Sequence, residues 1–195
     1  SLDPCLCRRI QEGKKTDMEQ DVLSPAIDNH EAVYAYHSPE YVKDIGTVDR
    51  IKQAEEELRA GTVGQRALRS RQKAIFLDRD GVINKENGLI FKEDQFELEP
   101  CAAEAIRLIN QSGYLAMVVT NQPVVARGLC EIKDVELIHR KMKTLLGKEG
   151  AYIDDIRFCP HHPDKGFPGE NTAYKIDCHF RKPDIGMFEE LSALY

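Results

Sequence analysis

The second half of the chain alternates two hydrophobic patterns. Ala74-Ile75-Phe76-Leu77 is a continuous apolar run bounded by charges, the pattern of a strand buried on both faces of a parallel sheet. Residues 101–110 follow as a helix stopped by Gly113, and residues 114–120 as a second buried strand. Residues 131–146 carry apolar side chains at Ile132, Val135, Ile138, Met142 and Leu145, the spacing of an amphipathic helix, and residues 153–159 read as a third strand. Strands alternating with helices predict an α/β layer fold with a parallel sheet, helices on both of its faces and right-handed crossovers. The first half is different. Residues 47–60 read as a polar helix with Thr47 as N-cap and Glu55, Glu56 and Glu57 on its solvent side. Residues 61–72 have two glycines, three arginines and no apolar period, the composition of an exposed linker. The expected organisation is an N-terminal extension over 1–60, a linker over 61–72 and an α/β domain over 73–195.

Composition narrows the function classes. The 195 residues hold 27 Lys and Arg against 33 Asp and Glu, a net charge of −6, so there is no general electrostatic drive toward nucleic acid or an anionic membrane. With 42% hydrophobic and 31% charged residues the chain can bury a core and is not a disordered one. No apolar run approaches the roughly 18 residues of a spanning helix, and the first residues lack a secretion-signal core, so the expected location is the cytoplasm. The six cysteines (Cys5, Cys7, Cys101, Cys130, Cys159 and Cys178) are too sparse for a disulfide scaffold and point to reduced thiols or a metal site. The chain starts without Met and stops inside an apolar, helix-like run at Tyr195, so a longer parent is expected at both ends.

The candidate chemistry sits where such sheets bind ligands, beyond the carboxyl ends of their strands. Asp78-Arg79-Asp80-Gly81 follows the first strand. A carboxylate fixed at Asp78 can attack phosphorus, and Asp80 can serve the same site as general acid and base. Two carboxylates beside a phosphoryl group repel it unless a divalent cation intervenes, so the expected cofactor is Mg²⁺ with Asp78 and Asp80 as ligands. The second strand ends in Thr120-Asn121-Gln122, a hydroxyl and two amides able to hold a phosphate oxygen, and Arg181-Lys182-Pro183 offers a cation to balance charge. Each string alone is weak: an acidic loop, a polar strand end and a solvated basic pair are the bland readings.

Together they form a pattern. The segment Lys73-Ala-Ile-Phe-Leu-Asp78-Arg-Asp80-Gly-Val-Ile-Asn84 resembles the first motif of haloacid dehalogenase-type phosphatases, and within them the branch of D-glycero-D-manno-heptose 1,7-bisphosphate 7-phosphatases and histidinol-phosphatases. Thr120-Asn121-Gln122, Ala126-Arg127-Gly128, Cys159-Pro-His161-His162-Pro and Arg181-Lys182-Pro183 resemble later motifs of that branch in the same order. The resemblance implies a Rossmann-like fold, Asp78 as nucleophile, Asp80 as acid/base, Thr120 and Lys182 as phosphate ligands, and Arg127, Arg181 and Asn121 as substrate contacts. It implies a phosphatase of heptose 1,7-bisphosphate acting through an aspartyl-phosphate. The alternatives are histidinol phosphate as substrate, or a weak or inactive fragment that only binds phosphosugar.

Two departures from that pattern matter. The family's last motif, an Asp-bearing loop that completes the Mg²⁺ shell, is absent, so weakened activity is expected of the chain as written. The family's zinc loop is Cys-x-His followed by Cys-x-Cys; here Cys159, His161 and Cys178 match while Phe180 fills the fourth place, leaving His179, His162 or water to complete a structural Zn²⁺ site. Upstream, Tyr41-Val-Lys-Asp44-Ile-Gly46-Thr47-Val-Asp49-Arg50 resembles the closing motif of sugar-1-phosphate nucleotidyltransferases, in which the residue matching Asp44 helps hold the catalytic metal. That likeness implies a parent joining a nucleotidyltransferase to a sugar-bisphosphate phosphatase, and favours a heptose over histidinol.

Overall fold

The computed structural model describes residues 6, 8, 10–34, 38, 40–67 and 69–195; Cys5 and Cys7 lie outside the described residues. The chain divides into two compact units, residues 1–37 and residues 38–195. The first holds a π-helical turn at Met18–Leu23 that runs into α1 (Ser24–Asp28), opened by Asp17, whose carboxylate accepts from the Glu19 and Gln20 amides.

The second unit begins with α2 (Val48–Arg59), capped as expected by Thr47, whose side chain accepts from the Arg50 amide. Glu55 and Glu56 face solvent, but Glu57 is drawn inward, accepting from the Tyr41 hydroxyl and from Lys43 Nζ at 2.7 Å. A short helix, α3 (Thr62–Gln65), follows. The division of the chain at 37/38 does not coincide with the boundaries expected at 60 and 72. Residues 61–72 are tied to the α/β body instead: Arg66 Nη2 donates to the Asn110 carbonyl at 3.1 Å and the Gln72 amide to the Tyr195 carbonyl at 3.0 Å. Buried or shared main-chain carbonyls need donors, and this basic stretch supplies them.

The body is a three-stranded parallel sheet in the order β1 (Ala74–Leu77), β2 (Leu115–Asn121), β3 (Asp155–Cys159). Ala74 pairs with Leu115 and Leu77 with Val118; Met117 pairs with Asp155 and Asn121 with Cys159. Between them run α4 (Ala102–Gln111), α5 (Ile132–Lys148) and, after β3, α6 (Gly186–Leu194). Side chains on a strand alternate faces, so β2 feeds two cores. Ala116 and Val118 join Ile106 of α4 and Ile138, Met142 and Leu146 of α5 on one face. Leu115, Met117 and Val119 join Met187 and Leu191 of α6 on the other. Each of the valine, leucine, isoleucine and methionine side chains among them contributes about 1.5–3 kcal/mol on burial. Helices on both faces of a parallel sheet are as the sequence predicts.

One strand differs from its expectation. β1 is only partly buried, with Ile75 37% exposed, because it lies at the edge of the sheet rather than between two neighbours. Among the described residues no helix is long and apolar enough to cross a membrane.

Candidate active site

The parallel register brings three chain segments to one end of the sheet. Asp78 and Asp80 follow β1, Thr120 and Asn121 end β2, and Cys159 ends β3. The turn after β1 closes on itself: the Arg79 carbonyl accepts from the Ile83 and Asn84 amides at 2.9 and 3.1 Å, and the Gly81 amide donates to the Asn84 carbonyl at 2.8 Å. Gly81 has φ +74°, a conformation a side chain strains.

The two aspartates have different surroundings. Asp78 accepts from the Arg79 amide at 2.7 Å, and Lys182 Nζ stands 2.6 Å from its other oxygen. Its side chain is 42% exposed. The Asp80 carboxylate accepts from Arg79 Nε and Nη2 at 3.0 and 2.9 Å, from Asn84 Nδ2 at 3.1 Å and from Gln122 Nε2 at 2.9 Å. Gln122 Nε2 also donates to Thr120 Oγ1 at 3.0 Å, so a chain of hydrogen bonds turns Asp80 toward the end of β2. Asp78 is thus the open carboxylate and Asp80 the held one. Both carboxylates meet nitrogen donors, but Asp78 has fewer of them and is the more exposed, so its oxygens are the better placed to hold a hard cation.

Lys182 arrives from a distant segment. Its Nζ also donates to the Val119 carbonyl at 2.9 Å. Its backbone is pinned by Asn121, whose Nδ2 donates to the Lys182 carbonyl at 2.9 Å while its Oδ1 accepts from the Lys182 amide at 3.0 Å. Asn121, expected on substrate, has its amide engaged on this clamp. Arg181 Nη1 donates to the His161 carbonyl at 3.1 Å, linking the basic segment to the Cys-Pro-His loop.

Arg127 lies over the Phe167 ring at 4.7 Å, and its Nε is buried with no partner. Lys175, buried, lies 4.6 Å from the same ring and 3.3 Å from Glu170, and donates to the Asp164 carbonyl. Glu170 in turn accepts from the Gly166 and Phe167 amides, both at 3.0 Å. The loop over residues 164–175 is therefore built around an internal ion pair. It packs closely on the Arg127 segment: the Asn171 amide donates to the Ala126 carbonyl at 3.0 Å, and a Cβ at Gly128, φ +70°, would stand 1.9 Å from the Gly169 carbonyl oxygen. Only glycine fits there.

Cys159, His161 and Cys178 converge as expected, their ligand atoms all within 4.8 Å of one another, with Cys159 Sγ 3.7 Å from His161 Nδ1. Burial pushes the Cys159 thiol up to about 11, a penalty that a bound cation would offset by holding the thiolate. Among the described residues no fourth side chain joins them. His179, one expected candidate, pairs with Glu189 of α6 at 2.7 Å; His162, the other, accepts from the Asp164 amide at 3.2 Å. Asp44 does not belong to this cluster. Its carboxylate accepts from the Gly46 amide at 2.9 Å and pairs with Arg50, closing an exposed turn ahead of α2.

Three residues lie inside the motifs, yet the sequence assigns them no role of their own. Arg79 is wholly buried beneath Asp80, and Asn84 and Gln122 hold the same carboxylate. Outside the motifs, His139 of α5 lies behind Arg79 with Nε2 3.4 Å from its Nη1.

No protein-family model matches the chain. It is 43% identical over 122 residues to the D-glycero-beta-D-manno-heptose-1,7-bisphosphate 7-phosphatase of Rhodopseudomonas palustris, covering 63% of this chain and 66% of that protein. It is 39% identical over 117 residues to the D-glycero-alpha-D-manno-heptose-1,7-bisphosphate 7-phosphatase of Burkholderia mallei, covering 60% of each. Among solved structures it is similar to the D,D-heptose 1,7-bisphosphate phosphatase of B. bronchiseptica complexed with magnesium and phosphate, at 33% identity and a TM-score of 0.53 over 63% of each chain. The chain spans just under two thirds of the length of these relatives. It is a homologue of haloacid dehalogenase-type heptose-bisphosphate phosphatases and shares their α/β fold.

Proposed function

We infer that the chain is a Mg²⁺-dependent phosphomonoesterase that removes the 7-phosphate of D-glycero-D-manno-heptose 1,7-bisphosphate. The observation that carries the reading is the open Asp78 carboxylate at the end of β1 with Lys182 Nζ at 2.6 Å, beside a Thr120 hydroxyl linked through Gln122 to Asp80. An Asp78 oxygen attacks phosphorus as the bond from phosphorus to the sugar oxygen breaks, and Asp80 gives its proton to the leaving alkoxide. Asp80 then takes a proton from water, which attacks the aspartyl-phosphate, frees inorganic phosphate and restores Asp78. Lys182 and Thr120 balance and hold the phosphoryl oxygens, and Arg127 and Arg181 receive the rest of the substrate. Asp78 would hold Mg²⁺, whose charge would offset the repulsion of carboxylate and phosphoryl group. Relatives named for both anomers are similar to this chain.

The same reading gives the remaining parts roles. Cys159, His161 and Cys178 would hold a structural Zn²⁺, which would fix the loop that carries Arg181. Protein purified without added zinc should then contain about one equivalent, and Cys178→Ser should lose it; metal analysis finding none in the parent chain would refute the site. Residues 1–60 are the end of a nucleotidyltransferase whose substrate is the sugar 1-phosphate left by the phosphatase, a reading that rests on the run from Tyr41 to Arg50. The reaction belongs in the cytoplasm, where thiols such as Cys159 and Cys178 stay reduced.

The test is phosphate release from heptose 1,7-bisphosphate and from histidinol phosphate, each with and without Mg²⁺. Mg²⁺-dependent turnover of the heptose ester at a kcat/KM at least tenfold above histidinol phosphate is expected. Preference for histidinol phosphate, or phosphosugar binding in calorimetry without release, would overturn it.

A further inference from the structure

We propose that His139, on α5 and outside the reach of any substrate, is a positioning residue that fixes the Asp80 carboxylate through Arg79. The proposal rests on the phosphatase reading for its catalytic consequence, but its geometry is independent of it. Arg79 is the only fully buried cation of the active-site turn; its relative exposure is 0%. A buried guanidinium must have its five N–H donors matched or it destabilises the fold. Nε and Nη2 are matched by Asp80, the latter by both carboxylate oxygens at 2.9 and 3.1 Å. Nη1 points the other way, to His139 Nε2 at 3.4 Å.

The ring of His139 is suited to accept. It is buried, stands edge-on to Phe158 of β3 with centroids 5.3 Å apart, and faces Arg79 with Lys143 one turn further along α5. Burial first, then these two cations, push its pKa down to about 3, so Nε2 presents a lone pair to Arg79 at any pH at which the protein works. The guanidinium is thereby held at both ends, and its planar fork can present Nε and Nη2 to Asp80 in one orientation only. That orientation is the productive one, because the same carboxylate accepts from Gln122 Nε2, the donor shared with Thr120. Without His139, Nη1 is a buried donor that has lost its acceptor, and the guanidinium is fixed at the Asp80 end alone.

The experiment compares the full chain with His139→Phe, which keeps the packing on Phe158 and removes the acceptor, and His139→Gln, whose side-chain carbonyl replaces it. With heptose 1,7-bisphosphate and Mg²⁺, His139→Phe is expected to lose about tenfold in kcat with KM within about twofold, and His139→Gln to recover most of it. The ¹⁵N-resolved NMR signals of the Arg79 guanidinium, recorded without substrate, read the contact directly: hindered Nη1 protons in the parent chain and His139→Gln, averaged ones in His139→Phe. Equal kcat in all three proteins, equal losses in both variants, or an unchanged guanidinium spectrum in His139→Phe would overturn the relay. A parent chain that hydrolyses no ester would overturn the phosphatase reading instead, and the guanidinium spectrum alone would then decide whether His139 holds Arg79.

Discussion

Asp78→Asn is expected to abolish phosphate release, with a loss of about 10³-fold or more in kcat while the protein stays folded. The substitution keeps the shape of the side chain and its oxygen facing the Arg79 amide, 2.7 Å away in the parent chain. It replaces the anionic oxygen beside Lys182 with an amide whose nitrogen is a donor facing a cation. Attack on phosphorus needs the anion, and the neighbouring Asp80 is not free to substitute: it is surrounded by Arg79, Asn84 and Gln122. Stability should change little, since the pair with Lys182 has one partner 42% exposed, and exposed ion pairs contribute only about 0–1 kcal/mol. Phosphate release and thermal unfolding on the same preparation check both halves. A folded Asp78→Asn protein with turnover near that of the parent would remove Asp78 as nucleophile.

The sequence shows the sheet and its helices because burial there follows simple periods. Val135, Ile138, Met142 and Leu146 are buried on α5 at the spacing of one helix face, and β2 is buried from Leu115 to Thr120 because it is the middle strand. The same period contains a signal that passes easily unnoticed: His139 lies one residue beyond Ile138 and four beyond Val135, on the face that turns inward. A polar residue there needs a partner, but periodicity does not say which. Ile75 illustrates the opposite limit. An apolar run looks alike in a central and an edge strand, and strand order is a tertiary fact.

At the candidate site, motif order pointed to Asp78 and Lys182 together although Lys182 is far along the chain, and the two stand 2.6 Å apart. What the letters Asp-Arg-Asp do not convey is direction. They read as a charged, solvated loop, yet the closed turn over residues 79–84 sends Arg79 into the interior, and Asp80 follows its guanidinium. The role of Asn121 was hidden for a related reason. Its amide has two acceptor and donor ends that fit a backbone as well as a phosphate, and only the arrival of residue 182 decides between them.

That arrival makes Lys182 the second residue on which activity should depend steeply. Lys182→Met keeps the aliphatic stem and removes the ammonium that stands 2.6 Å from Asp78 and 2.9 Å from the Val119 carbonyl. A phosphoryl group approaching Asp78 then meets a carboxylate without its neighbouring cation, so kcat/KM should fall by about 10²–10³-fold. Lys182→Arg should not rescue it, because the Asn121 clamp fixes the backbone at 182 and a planar guanidinium cannot occupy the space of a compact ammonium pointing at both Asp78 and Val119. The double variant separates two roles. If Lys182 serves only the nucleophile, Asp78→Asn with Lys182→Met is no slower than Asp78→Asn alone, and the parent chain and Lys182→Met bind inorganic phosphate equally in calorimetry. If Lys182 also holds the phosphoryl oxygens, phosphate binding weakens in Lys182→Met even where Asp78 is already Asn. The second outcome is the expected one, since a lysine bonded to Asp78 and to the Val119 carbonyl still has a third proton to offer a ligand.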